Sequence, residues 1–129
     1  MLFKRKEGFR YAFGEPLEAK IVILINGKPL HGDGTSATGQ VLDISPRGMK
    51  LRLEVDLSEH KNDMLQLEIS FVLDTTQIKA VGEVVWSKNF GSGYHYGIVF
   101  YDQSAIENLI IGELKMRRRK EVLKPKING

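Results

Sequence analysis

The sequence predicts an all-β fold with one helix: a six-stranded antiparallel β-barrel followed by a C-terminal α-helix. Three observations predict it. Six short segments, most of them alternating apolar and polar residues, are separated by turn signals rich in Gly, Asn, Asp, Pro and Ser. After Asp102 the apolar period lengthens to that of a helix. The chain has 129 residues, 42% of them hydrophobic, which is enough for one core and leaves little for a second domain.

The first strand is read over Glu18 to Ile25, a stretch rich in β-branched residues that ends at Asn26-Gly27. Asn-Gly marks a hairpin turn because both residues tolerate positive φ. Pro29 and the run His31 to Ser36 make a longer polar loop. Thr38 to Ile44 is the second strand, and Ser45-Pro46-Arg47-Gly48 turns the chain. Met49, Leu51, Leu53 and Val55 then alternate with Lys50, Arg52 and Glu54, giving one dry face. After a polar connection, Leu65, Leu67, Ile69 and Phe71 alternate with Gln66, Glu68 and Ser70. Asp74-Thr75-Thr76 is the next turn. Ile78, Ala80, Gly82, Val84 and Trp86 share one alternating face, which makes Trp86 a core or rim residue. Asn89 to Gly93 is read as a loop, and Tyr94 to Tyr101 as the last strand.

Ile106, Leu109, Ile110, Glu113 and Leu114 follow helical spacing, with Glu113 the one polar exception. Ser104 and Glu107 have the spacing of a capping box. Six strands with short turns close into a barrel, and the helix covers an open end or an edge. The expected organisation is a flexible basic segment over residues 1–15, the barrel and helix over 16–120, and a basic tail over 121–129.

Charge is unevenly placed. The net charge is +3, yet residues 11–114 hold 8 Lys/Arg against 14 Asp/Glu, a balance of −6. The excess of cations sits in Lys4, Arg5, Lys6 and Arg10 at one end, and between Lys115 and Lys126 at the other. An acidic body with basic ends suggests a localised anion site and argues against a broad nucleic-acid surface. Cysteine is absent, which excludes disulfides and thiolate metal sites and is compatible with a reducing cytosol. The start of the chain turns charged before any apolar stretch forms, and the longest apolar run, Ile21 to Ile25, is far too short to span a bilayer. A cytoplasmic location is expected.

No catalytic pattern is present. His31, His60 and His95 have no metal-ligand spacing, and HExxH, GxSxG and P-loop motifs are missing. The chain is therefore read as a binding protein and not an enzyme, with no metal and no cofactor.

Two constellations remain. One is Arg5-Lys6-Glu7-Gly8-Phe9-Arg10, ahead of the first strand. The other is Asp43-Ile44-Ser45-Pro46-Arg47-Gly48, at a strand end and turn. In this order they resemble the paired signature of the PilZ family, Arg-x-x-x-Arg followed by Asp/Asn-x-Ser-x-x-Gly. Asp43, Ser45 and Gly48 match the second motif in full. Arg10 takes the second arginine position of the first motif, while the first falls on Lys6, with Arg5 one residue early. Gly82-Glu83-Val84-Val85-Trp86 and Tyr96-Gly97-Ile98-Val99-Phe100 also look like the family's late strands.

The resemblance implies a receptor for cyclic di-GMP, a ligand that family members often take as a stacked dimer. The N-terminal loop would wrap over it and the Asp-x-Ser-x-x-Gly turn would meet it from the barrel. The residue chemistry agrees. A guanidinium offers a fork to guanine O6 and N7 and can stack on a purine. Arg or Lys neutralises phosphate, Arg47 in the turn being within reach of one. Aspartate accepts from guanine N1–H and the exocyclic amine, and a serine hydroxyl donates or accepts. Gly48 permits positive φ or a close approach of ligand or backbone. Lys6 supplies charge without the fork, at a cost of about 1–3 kcal/mol for one bidentate contact. The expected site is thus Arg5, Lys6, Arg10, Asp43, Ser45, Arg47 and Gly48. The expected output is docking of a protein partner by a monomer or homodimer. Two other readings stay open: an adaptor of the same fold that binds no nucleotide, and a small barrel for single-stranded nucleic acid.

Overall fold

The computed structural model describes residues 10–32, 36–101 and 104–123. Among the described residues seven strands precede one α-helix: β1 (Tyr11–Ile25), β2 (Lys28–Pro29), β3 (Ala37–Ser45), β4 (Gly48–Leu53), β5 (Leu65–Val72), β6 (Gln77–Phe90), β7 (Gly93–Phe100) and α1 (Ser104–Leu123), with a single 3-10 turn at Ser58–His60. All neighbouring strands are antiparallel, in the order β2-β1-β3-β4-β7-β6-β5, and β1 pairs again with β5. Six long strands therefore close a barrel, as the alternation predicted. The two-residue β2 is an appendix to the Asn26-Gly27 turn, where both residues have positive φ.

Closure depends on the length of β1. Its first part pairs with β3, from Tyr11↔Ile44 to Ile21↔Ala37, and its last part pairs with β5, from Lys20↔Ser70 to Ile25↔Leu65. The strand starts at Tyr11, well before the expected Glu18. Phe13 to Pro16 interrupt its register with β3, so alternation fails there and hides the strand in the sequence.

The inward residues fill the barrel. Ile21, Ile44, Leu51, Leu67, Ile69 and Ile98 are among those that contribute to one continuous apolar core. Each such side chain contributes about 1.5–3 kcal/mol by leaving water. Tyr96 is buried with its hydroxyl satisfied: it donates to Val55 O at 2.7 Å and accepts from Leu57 N at 3.0 Å. That pair fastens the connection after β4 over one barrel mouth.

Helix α1 caps the opposite end with Ile110 and Leu114. Glu113, the polar exception in its apolar stripe, is buried and accepts three backbone N–H bonds from the β5–β6 turn, from Asp74, Thr75 and Thr76, at 2.9, 3.0 and 3.1 Å. Burial alone would raise its pKa, but the three donors outweigh that and hold it below the usual glutamate range. The capping box does not form as expected. Ser104 is the first helical residue, and the Glu107 carboxylate lies 3.7 Å from Arg47.

Candidate functional site

Strand pairing brings one row of outward residues together. Ala12 stands opposite Asp43, Asp43 opposite Lys50, Lys50 opposite Gly97, and Gly97 opposite Trp86. Directly paired residues share a face of the sheet, so these side chains meet on the outer wall. Arg10, one residue before β1, reaches into the same row and donates from Nη1 to Asp43 Oδ1. Lys50 Nζ lies 3.9 Å from the other Asp43 oxygen. Arg10, Asp43, Met49, Lys50, Val85, Trp86, Gly97, Ile98 and Val99 line an open hollow of about 340 Å³.

A bulge creates this wall. The register of β6 against β7 shifts between Val84 and Trp86. One extra residue on β6 inverts the side-chain alternation that follows. Val84 still opposes Ile98 on the inner side, whereas Trp86 is turned outward and left 45% exposed. The expectation that Trp86 shares the face of Val84 is corrected, and of its two expected places, core or rim, it takes the rim, at the edge of the hollow. Its indole lies against Gly97, where a Cβ would stand 2.0 Å from the indole nitrogen. Only glycine admits the ring so close to the strand. Beyond Trp86 the predicted loop over Asn89 to Gly93 is largely strand, because β6 and β7 continue as a ribbon to Phe90↔Gly93. That ribbon has no buried face on β6, so no alternation marked it.

The next outward row adds charge: Gln40 opposes Arg52, Arg52 opposes His95, and His95 opposes Lys88. Partial burial, and then the positive field of Lys50, Arg52 and Lys88, pull the His95 pKa below its ordinary value. An acidic barrel thus carries a cationic wall over β4, β6 and β7. Lys50, Arg52 and Lys88 were absent from the residues expected at the site. Alternation marked Lys50 and Arg52 as outward, but only the β4–β7–β6 order shows which neighbours they join.

The other expected residues divide. Arg10 and Asp43 are together. Ser45 is buried, and its hydroxyl serves the turn, donating to Gly48 O at 3.3 Å and accepting from Arg47 N at 3.4 Å. Gly48 is required by a close approach, since a Cβ there would sit 2.2 Å from Ile98 O. Its φ is not among the positive ones, so that half of the expectation is corrected. Arg47 leans toward α1 and Glu107, in a neighbouring hollow bounded by Val99 and Tyr101. Arg5 and Lys6 lie outside the described residues. Among the described residues no group of three His, Cys, Asp or Glu could hold a metal ion, and no helix is long and apolar enough to cross a membrane.

A closed small barrel, capped by a helix and bearing a cationic, tryptophan-rimmed hollow on its wall, defines the structural class. The chain belongs to the PilZ domain family, whose model matches residues 6–115. A protein of Aquifex aeolicus (strain VF5) is 32% identical over 96 residues, covering 74% of this chain and 46% of that protein. The chain thus spans less than half the length of the curated relative it matches. Among solved structures, the PilZ domain of YcgR from Escherichia coli, determined with c-di-GMP, is similar with a TM-score of 0.61 at 15% identity, covering 91% of this chain and 96% of that one. The PilZ domain of CeSA from a cellulose-synthesizing bacterium gives 0.55 at 18% identity, covering 85% and 98%. The Bacillus subtilis inhibitor of motility MotI gives 0.57 at 16%, covering 91% and 52%. At these identities the likeness is one of fold.

Proposed function

We propose that this chain is a cyclic di-GMP effector that takes the ligand on the outer wall of β3, β4, β6 and β7. The observation that carries this reading is the Arg10–Asp43 pair beside Lys50 and Trp86, at the rim of one hollow. Asp43 accepts from a guanine Watson–Crick edge, and Arg10 supplies a planar fork for the Hoogsteen edge or a phosphate. Lys50, with Arg52 and Lys88 behind it, offsets the two phosphate charges. Trp86 offers a ring for a purine to stack on. Ser45 and Gly48 act by holding the turn that aims Asp43. The segment bearing Arg5 and Lys6 closes over the bound ligand, and the surface so formed docks a protein partner in the cytoplasm. Output in motility, biofilm or polysaccharide secretion follows by analogy with the family.

Titration calorimetry with cyclic di-GMP tests the reading. Micromolar or tighter binding is expected, lost in Arg10→Ala, weakened in Asp43→Ala and Ser45→Ala, and tightened in Lys6→Arg. An affinity unchanged in all four variants refutes the assignment. Absence of any binding heat with excess ligand favours an adaptor that acts by protein contact alone.

A further inference from the structure

We infer that Tyr11, Arg117 and Glu121 form a clamp that positions Arg10, so that occupancy of the site and seating of the helix end strengthen one another. The inference rests on the reading of the site given above, and it adds a regulatory connection to it.

Arg10 stands on a short and weakly held piece of chain. Only Tyr11↔Ile44 and Ala12↔Asp43 fix the start of β1 to β3 before the register is interrupted. Alternation sends Arg10 and Ala12 to the outer wall, and Tyr11 and Phe13 to the other side, under the helix. The helix grips both rings. The Tyr11 hydroxyl donates to Glu121 Oε2 at 2.6 Å. The Arg117 guanidinium lies 5.0 Å from the Phe13 ring centre and 5.9 Å from that of Tyr11. The two rings meet edge to face at 5.0 Å.

The helix side of the clamp is itself anchored. Arg117 Nη1 donates to Leu73 O at 2.8 Å, and its Nε is 3.4 Å from Glu121. Lys120 Nζ lies 2.8 Å from Asp74 in the turn that Glu113 also binds. The grip therefore runs from the β5–β6 turn through α1 to Tyr11, and Arg10 is the next residue along. A cation held in place before the ligand arrives loses less freedom on binding. Linkage then requires the reverse effect: a ligand that engages Arg10 must tighten the clamp by the same factor.

Tyr11→Phe removes the hydroxyl and keeps the ring. Glu121→Ala removes the acceptor. Calorimetry with cyclic di-GMP should show each variant weaker by about three- to tenfold, the range for one solvent-exposed hydrogen bond of ordinary strength. The double variant should lose little more than either single change, because both break one contact. Hydrogen exchange of the amides of residues 114–120 supplies a second readout. In wild-type protein, saturating ligand should slow it. In ligand-free Arg10→Ala protein it should quicken by about two- to fivefold, since an exposed ion pair contributes up to about 1 kcal/mol. This last arm needs no ligand, so it decides the clamp even if wild-type protein takes up no cyclic di-GMP and the reading of the site fails. Variants that lower the melting temperature while leaving affinity intact, or Arg10→Ala exchange equal to wild type, overturn the inference.

Discussion

Replacing Glu113 by alanine should loosen the helix from the barrel. One carboxylate oxygen of Glu113, a residue only 7% exposed, satisfies three backbone donors of the β5–β6 turn. A hydrogen bond to a charged group contributes about 1.5–3 kcal/mol. Thr75 and Thr76 are exposed, so water can reach their N–H groups once the carboxylate is gone. The net loss is therefore below the sum of three bonds, at about 2–4 kcal/mol. Glu113→Gln keeps an acceptor oxygen but loses the charge, and should cost about half as much. The pH dependence carries the sign. The folded-state pKa of Glu113 is depressed by these donors, which outweigh burial. Its contribution is fully present above the unfolded glutamate pKa of about 4.3, and is lost as pH falls through the lower folded value. Urea denaturation of wild type and both variants between pH 7 and pH 3 measures all of this. The wild-type advantage over Glu113→Gln should shrink below about pH 4. Variants within about 0.5 kcal/mol of wild type at pH 7, the noise level of surface substitutions, would refute the anchoring role.

Two further outcomes follow from glycines at close approaches. Gly97→Ala should displace the indole that lies against it, shift the emission of the single tryptophan and weaken cyclic di-GMP binding, while the fold survives because a side chain can swing aside. An unchanged emission spectrum would count against the contact. Gly48→Ala places a Cβ against the carbonyl of Ile98, which is backbone and cannot swing, so destabilisation of about 1–3 kcal/mol or more is expected in a thermal melt. A melting temperature equal to wild type would show that β4 and β7 are not so closely packed.

The six long strands were legible because most have one wet and one dry face, and alternation reports that directly. Arg10 and Asp43 were legible as a pair through their resemblance to the PilZ signature; the antiparallel pairing of β1 with β3 is what brings them side by side. Features that depend on interruptions of pairing were not. The shift after Ala12 concealed the first part of β1. The bulge before Trp86 carried that residue from the predicted dry face to the site, since a bulge is defined by two strands at once. Glu113 looked like a flaw in an apolar stripe until its three donors, nearly forty residues earlier in the chain, were placed around it. Lys88 and Lys50 belong to one surface only because β7 lies between their strands.

The double engagement of β1 also bears on how the molecule assembles. The β3–β4, β5–β6 and β6–β7 hairpins join sequence neighbours and can zip early, on the microsecond scale typical of such units. The seam of β1 with β5 joins Ile25 to Leu65 and Lys20 to Ser70, with β3 and β4 lying between them in the chain. Forming it requires closing a long loop before any reward arrives, which places such topologies among the millisecond-to-second folders. Until that step, a β-branched stretch from Ile21 to Ile25 stands without its second partner. Crowded or heated conditions should find their first intermolecular pairings there.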